Sequence, residues 1–432
     1  MSFSFQILTY GCKVNQYESQ AIREYWQSLG AKEIAGTGEF PDLILLAGCA
    51  VTAQAIADAR QMVRKILREM PQTKVIVTGC CASCEPNDFA FENVTALVSQ
   101  TAKWNLLHYH PFALPQELME KNTEYPDFSI QGFARSRPVL KIQDGCSHFC
   151  TYCIVPYTRG KARSRSAEES IAELRRLLEA GYREIMISGI NLRQYSRQYH
   201  GDKLNFWGFL KIVEKEFGAE WKGRARLRLS SLEPAQLNDE GLDTLAQSSL
   251  ICPHLHLSLQ SGSAAVLQRM GREHYTPEYM AQQIGKIKSF WQTFGLGADF
   301  LMGFPGETEQ ELAETLALVD TLPFTYAHVF PFSVRKGTKA EKMPLQLEKH
   351  VKQEHAQKVR AKIDIKKRQF LQTISEKKSM QLSLDMGTNE GWNEFYVACS
   401  LENAPQTHEL LSVKPIRMEK NTLFVKQIKD TQ

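Results

Sequence analysis

Hydrophobic and polar positions change period several times along the chain. Residues 4–9 (SFQILT) read as a strand. Residues 16–29 carry apolar side chains at helical spacing through Ala21, Ile22, Tyr25, Trp26 and Leu29, and Gly30 supplies the stop. Residues 43–47 (LILLA) make a short buried strand. A helix is predicted over 52–70, with Thr52 as cap and Pro71 just beyond its end, and a third strand over 74–78 (KVIVT). This βαβαβ alternation implies a parallel sheet with helices on both faces.

Residues 105–136 lose the periodicity. With Pro111, Pro115 and Pro126 they read as a linker holding a short helix around 115–121. Six strand-like runs then alternate with helical ones: 139–142, 184–188, 225–230, 254–259, 297–302 and 327–332. Six β/α units predict an incomplete TIM-like barrel, (β/α)6, whose active site gathers at the carboxyl ends of the strands. A helix over 345–375 leads to short strands at 380–385, 394–400 and 423–428. Turns fall at Gly387, Asn403-Ala404-Pro405 and Lys420-Asn421, the pattern of a small antiparallel barrel. The fold class is therefore α/β, with domains at 3–113, 132–365 and 366–430. Phe395, Tyr396 and Phe424 are expected in the core of the last one.

The cysteines change the picture. The chain has 432 residues and 10 cysteines, and neither a secretion signal nor an apolar run long enough to span a bilayer. A reducing compartment, the cytoplasm, is expected, where cysteines serve metals or catalysis more often than disulfides. Cys146, Cys150 and Cys153 form a C-x3-C-x2-C array with Phe149 and Tyr152 before its second and third members. Thiolates so spaced can wrap one iron–sulfur cube, leaving a fourth iron open for catalysis. The alternative is a zinc knot or three buried thiols. Cys12, Cys49 and Cys80 each follow a glycine just past a predicted parallel strand, on the edge where open α/β sheets bind ligands. They form either a second cluster site or three thiols in loops. Cys252 and Cys399 stand alone and fit the core.

Predicted strand ends carry polar or glycine-rich runs: Ser188-Gly189-Ile190-Asn191, Ser230-Ser231-Leu232-Glu233, Ser258-Leu259-Gln260 and Gly303-Phe304-Pro305-Gly306. Together they suit a ribose, an amino acid and an adenine. Net charge is only +4, but residues 335–378 hold 14 Lys/Arg against 5 Asp/Glu, a local +9. That stretch reads as facing a polyanion, or else as a solvated helix face. Arg159, Lys161, Arg163 and Arg165 are expected to contact phosphate near the site mouth, with a solvated loop as the other reading.

The C-x3-C-x2-C array resembles the radical S-adenosylmethionine superfamily. TYGCKVNQYES, GCAVT, VTGC, LRLSSLEP, LHLSLQSGS, GFPGETEQE and HVFPFSVRKGT resemble its methylthiotransferase family over nearly the whole chain. The resemblance implies two 4Fe–4S clusters. One, on Cys146, Cys150 and Cys153, would chelate S-adenosylmethionine through its open iron; an auxiliary one would sit on Cys12, Cys49 and Cys80. It further implies that Gly189, Asn191, Ser230, Glu233, Ser258 and Gln260 line the cofactor cavity, and that the last domain is a TRAM domain, OB-like and RNA-contacting. The reaction so implied replaces C–H by C–S–CH3. Reductive cleavage of S-adenosylmethionine makes a 5′-deoxyadenosyl radical, sulfur comes from or through the auxiliary cluster, and a second S-adenosylmethionine gives the methyl group. A flavodoxin- or ferredoxin-like electron donor, a sulfur donor and tRNA are the implied partners, with no membrane.

GCKVN and HVFPFSVRKGT look most like the branch acting on C2 of N6-threonylcarbamoyladenosine, 3′ to the tRNA anticodon. N6-isopentenyladenosine, a ribosomal-protein side chain, and a non-catalytic RNA-binding iron–sulfur protein are the alternatives. A threonylcarbamoyl carboxylate needs cationic partners, and Lys13, Arg335 and Lys336 are the candidates. The family usually has Asn-Thr where this chain has Ala47-Gly48, and Cys81 and Cys84 are extra thiols, read as bystanders.

Overall fold

The computed structural model describes residues 3–34, 39–120, 124–403 and 409–428. Six parallel strands form the N-terminal sheet: β1 (Ser4–Thr9), β2 (Lys32–Glu33), β3 (Leu43–Gly48), β4 (Lys74–Gly79), β5 (Val94–Ser99) and β6 (Glu117–Leu118), in the order β2-β1-β3-β4-β5-β6. Helix Lys13–Ser28 and helix Ala53–Glu69 flank it. The Thr52 hydroxyl caps the second helix by accepting from the Ala55 N–H at 3.1 Å. Strand β6 corrects the expected helix at 115–121. Its two residues, Glu117 and Leu118, are good helix formers, but pairing with Leu97 and Val98 holds them extended. Lys121 lies outside the described residues.

The middle of the chain folds as two three-stranded parallel sheets. One joins strands Val139–Lys141, Glu184–Ser188 and Arg226–Leu229; the other joins His254–Gln260, Gly295–Met302 and Tyr326–Pro331. Parallel bridges Leu227–Ile251 and Leu232–Leu257 connect them into an open barrel of six strands. Alternation along each strand sorts the side chains. Ile185, Ile187, Leu227, Leu229, Leu255, Leu257, Leu296 and Phe300 belong to the main apolar core. Glu184, Arg226, Arg228, His254, His256, Asp299 and Tyr326 alternate with them and bond to one another, and His328 packs against the rings of His256 and Tyr326. Barrels of this kind usually fill their interior with branched apolar side chains. A polar interior is costly to desolvate, so its groups must be paired with each other or with a ligand.

A closed five-stranded barrel ends the chain, built from Met380–Leu384, Glu390–Asn393, Ala398–Leu401, Leu411–Glu419 and Thr422–Gln427, with one parallel ladder between the third and fifth. Of the run at 394–400, expected as one strand, 394–397 form a reversal between two strands and 398–400 begin the second. Asn393 Oδ1 accepts from the N–H groups of Phe395 and Val397, and Tyr396 takes a φ of 63°. Phe395 lies in the barrel core as expected. Tyr396 instead leaves it and stacks on Trp392 at 4.5 Å. Phe424 is half-buried beneath Arg417. Of the expected turn at 403–405, Ala404 and Pro405 lie outside the described residues.

This small barrel is docked on the larger one. Arg226 donates to the carbonyls of Gln381 and Trp392, and Arg228 to those of Asn393 and Glu394, while Glu184 neutralises both guanidinia. Helix Lys349–Ser375 links the two, and its Leu371 and Ile374 enter the small barrel's core. Among the described residues no helix is long and apolar enough to cross a membrane.

Candidate active site

The first cysteine trio hangs on a loop that leaves barrel strand Val139–Lys141. Gly145 turns the loop at φ 67°, where a Cβ would strike the Lys161 carbonyl. The Cys146 N–H donates to the Gly160 carbonyl at 3.0 Å. Three N–H donors aim at the sulfurs: His148 N at 3.4 Å and Asn191 Nδ2 at 3.5 Å from Cys146 Sγ, and Arg272 Nη1 at 3.7 Å from Cys150 Sγ. Burial pushes the thiols up, Cys153 to about 12, and each neighbouring sulfur adds to the rise. Such thiols stay protonated at neutral pH unless a metal displaces the proton. All ten cysteines are free. Three neighbouring thiols with N–H donors on the sulfurs fit an iron–sulfur cluster better than a closed zinc site, since among the described residues no fourth ligand is grouped with them.

These thiols share a cavity of about 370 Å³ with Asn191, Glu233, Ser258 and Gln260. Burial alone would raise the Glu233 carboxyl. Arg272, at 3.0 Å, and His274 Nε2, at 2.8 Å, outweigh it and hold the group below its ordinary value. Gln260 adopts φ 66° at a break in the strand register, a strained backbone that turns its side chain to the cavity wall. Gly189 and Ser230 are not on that wall. Gly189 packs on Gln143, and the Ser230 hydroxyl is buried without a protein partner. Arg272 and His274 escape sequence reasoning; the signal for them is the Arg-x-His-Tyr run after Gly271.

Cys12, Cys49 and Cys80 follow the carboxyl ends of β1, β3 and β4, which are neighbours in the sheet. Their loops meet so closely that only glycine fits between them. A Cβ on Gly11 would lie 2.5 Å from Cys49 Cβ, and one on Gly79 would overlap the Gly48 carbonyl. The Cys49 thiol is pushed up to about 12, by burial and then by Cys80 and Cys12. The three sulfurs therefore converge, and their partners again suit a cluster. Cys81 is fully buried in the same apolar core as Cys80, with the Thr78 carbonyl 3.6 Å away, and both Cys80 and Cys49 act on its thiol. A Cβ on Gly48 would meet the Cys81 sulfur, so the glycine here fits that extra thiol. Cys84 is held by Arg335 Nη2 at 3.5 Å.

One short segment joins the two trios. Cys153 leads into helix Val155–Arg159, where the Thr158 hydroxyl bonds to the Cys80 sulfur and Arg159 stands near Cys80 and Cys12. From the other side Val51 and Thr52, just past Cys49, line the cavity that holds Cys146, Cys150 and Cys153. The second trio thus lies just behind that cavity, with Val51 and Thr52 between, although none of its cysteines lines it.

The basic residues need correction. Arg159 and Arg165 do not face phosphate. Arg159 bonds to Glu18 and Asp144, and Arg165 to Glu173, all buried. Arg163 donates to the Glu124 carbonyl, leaving Lys161 as the exposed member of the set. Arg335 is buried against Cys84 rather than at the cavity, and Lys336 is exposed on the surface. Within 335–378, Lys358 and Lys362 pair with acidic groups, while Arg360 and Lys366 bond to backbone carbonyls. The basic stretch is thus partly a structural seam. Lys13 lines a second cavity of about 510 Å³.

The Radical SAM superfamily matches residues 140–319, and the family described as uncharacterized protein family UPF0004 matches residues 4–99. The chain is 35% identical over 366 residues to threonylcarbamoyladenosine tRNA methylthiotransferase MtaB of Bacillus subtilis, covering 82% of this chain and 79% of that protein. It is 30% identical over 424 residues to the protein of the same name from Aquifex aeolicus, covering 96% and 100%. A tRNA-2-methylthio-N(6)-dimethylallyladenosine synthase of Caldicellulosiruptor saccharolyticus is 32% identical, over 82% of this chain and 77% of its own. The solved structure of the radical S-adenosylmethionine methyltransferase TsrM from Kitasatospora setae superposes with a TM-score of 0.55 at 13% identity, over 77% of each chain, a likeness of fold. Two neighbouring cysteine trios, in a chain so matched from end to end, place this protein in the radical S-adenosylmethionine methylthiotransferase family.

Proposed function

We propose that the chain methylthiolates C2 of N6-threonylcarbamoyladenosine beside the anticodon of tRNA. The observation that carries this reading is the nearness of the two trios, with Val51 and Thr52 beside Cys49 lining the cavity of Cys146, Cys150 and Cys153, because a radical made at one cluster must reach a carbon that also reaches sulfur at the other. Cys146, Cys150 and Cys153 would hold the cluster that binds S-adenosylmethionine, and Cys12, Cys49 and Cys80 the auxiliary one. When bound, these groups supply one-electron cleavage of S-adenosylmethionine and a sulfur source, chemistry that side chains alone cannot provide.

The chain's own residues bind and orient. Glu233, kept ionised by Arg272 and His274, is placed to accept from the ammonium group of S-adenosylmethionine. Ser258, Gln260 and Asn191 offer hydrogen-bonding groups on the same wall, while Leu301, Phe330 and Phe332 give it an apolar side. Gly189 and Ser230 support this wall from behind. A flavodoxin- or ferredoxin-like reductant and a separate sulfur donor complete the cycle, in the cytoplasm where tRNA is found.

Two considerations support threonylcarbamoyladenosine over the isopentenyl base: similarity to relatives named for the former, and a polar barrel interior that would suit a charged substituent. The test is mass spectrometry of tRNA nucleosides from cells with and without this gene. Loss of 2-methylthio-N6-threonylcarbamoyladenosine is expected. Loss of the isopentenyl derivative alone contradicts the assignment.

A further inference from the structure

Four apolar side chains stand in solvent around the mouth of the cofactor cavity. Val51, Phe149, Tyr157 and Phe330 are 59%, 49%, 53% and 45% exposed. Val51 and Phe330 also belong to the cavity wall. So do His148 and Cys150, on either side of Phe149, and Val155, at the start of the helix that carries Tyr157. The Phe149 and Tyr157 rings meet edge to face, with centroids 5.5 Å apart. Thr158 and Arg159 are buried and anchor that helix, which leaves Tyr157 facing out. Across the mouth, the Ala53 N–H donates to Ser333 Oγ at 3.4 Å, so the N-terminal domain meets the end of the last barrel strand near Val51 and Phe330.

Single exposed apolar residues are ordinary, but a set of them around one cavity marks a binding surface. Two of the four are shared between rim and cavity, so what rests on the rim is continuous with what fills the cavity. A folded protein cannot enter a space of about 370 Å³. A nucleotide can, and it brings its two neighbours in the RNA chain to the rim. In a hairpin loop those neighbours are unpaired, and their faces are free to stack on aromatic rings. Charge fits the same partner. The Ala162 N–H donates to Ser147 Oγ at 3.1 Å and the Ser147 N–H to Gln194 Oε1 at 2.8 Å, which sets the exposed Lys161 and Arg193 beside the cluster loop. Among the described residues neither pairs with a carboxylate.

We infer that Phe149 and Tyr157 form a stacking platform for an unpaired base next to the target nucleotide, and that Lys161 and Arg193 hold the phosphates flanking it. Val51 and Phe330 then contact the target nucleotide itself at the cavity entrance. Stacking reads no base edge, so the platform adds affinity with little sequence preference. This inference rests on the tRNA reading given above and goes beyond it in naming the residues that hold the nucleotides around the target.

The test measures binding of an anticodon stem-loop RNA bearing threonylcarbamoyladenosine to the full cluster-loaded chain, by anaerobic fluorescence anisotropy. A second RNA is abasic at the two nucleotides flanking the target. Tyr157→Leu should weaken binding of the first RNA about 5- to 100-fold, the range for one stacked base, while Tyr157→Phe keeps its affinity. The abasic RNA should bind the unsubstituted enzyme more weakly by a similar factor, and Tyr157→Leu should weaken it no further. Lys161→Ala should act differently, lowering the slope of log Kd against log salt by about 0.7. Tyr157 is exposed, so its substitution leaves the fold intact, which iron content and the unfolding midpoint check. A cluster-loaded Tyr157→Leu protein that binds the first RNA as tightly as the unsubstituted enzyme overturns the platform. So does slower reduction of its cluster by reduced flavodoxin at unchanged RNA affinity, since the face would then receive the electron donor. Failure of the unsubstituted enzyme to bind the first RNA at all contradicts the tRNA reading itself.

Discussion

Arg159 Nη1 donates to Glu18 Oε1 at 3.0 Å, with 2% and 0% of the two side chains exposed. Glu18 lies on the first helix of the N-terminal sheet, and Arg159 follows the first cysteine trio. Lys103 and Lys141 also bond to Glu18, and Lys141 and Arg159 both reach Asp144, two residues before Cys146. Buried charges persist only when paired, so this network fixes how the two cysteine-bearing domains meet.

Removing one partner leaves uncompensated charge in the interior. Glu18→Gln should therefore cost about 3–5 kcal/mol, the usual range for a broken buried pair. Chemical denaturation checks this, and an unchanged midpoint would contradict it.

The same network makes stability depend on acid. Burial would raise the Asp144 carboxyl, but Lys141 and Arg159 bring it down to about 2 from 3.8. Glu18 is likewise held well below its ordinary value, against its burial, by Arg159, Lys141 and Lys103. Carboxylates with depressed folded-state values contribute stability that is complete above their ordinary values and lost as pH falls through the folded ones. Unfolding midpoints should drop steeply from about pH 4 toward pH 2, and less steeply in Asp144→Asn. Parallel pH profiles for the two proteins would refute this.

Gly11 takes φ 112°, and a Cβ there would collide with Cys49. Gly11→Ala should displace Cys49 and lose about half of the roughly eight irons expected for two four-iron cubes. Reductive cleavage of S-adenosylmethionine should survive. Full iron content in Gly11→Ala would remove Cys49 from the auxiliary site.

The C-terminal barrel is more than an RNA-binding appendage. A chain ending before Met380 would strip Arg226 and Arg228 of four backbone acceptors. That truncation should lower thermal stability and S-adenosylmethionine cleavage together. Full cleavage by the truncated chain would show that the two barrels are independent.

Much of this was legible in the sequence. Cys146, Cys150 and Cys153 are close in the chain, so spacing alone identifies them. The alternation His254-Leu255-His256-Leu257 already describes a strand with one apolar and one polar face. Arg159 and Arg165 misled because their partners are remote: Glu18 is 141 positions from Arg159. A loop arginine looks like a phosphate ligand until its buried carboxylate is located. Strand β6 exists through tertiary pairing, which local propensity does not encode, and the reversal at 394–397 through the Asn393 side chain accepting from two backbone N–H groups.

The central claim is that two neighbouring clusters methylthiolate threonylcarbamoyladenosine. The direct measurement is anaerobic turnover of the cluster-loaded chain with S-adenosylmethionine, a strong reductant and tRNA bearing either N6 substituent, read by nucleoside mass spectrometry. The account predicts the 2-methylthio derivative of the threonylcarbamoyl base, formed with 5′-deoxyadenosine, and none when Cys12, Cys49 and Cys80 are replaced by alanine. Product from the isopentenyl tRNA alone, or undiminished product from the triple variant, would contradict it.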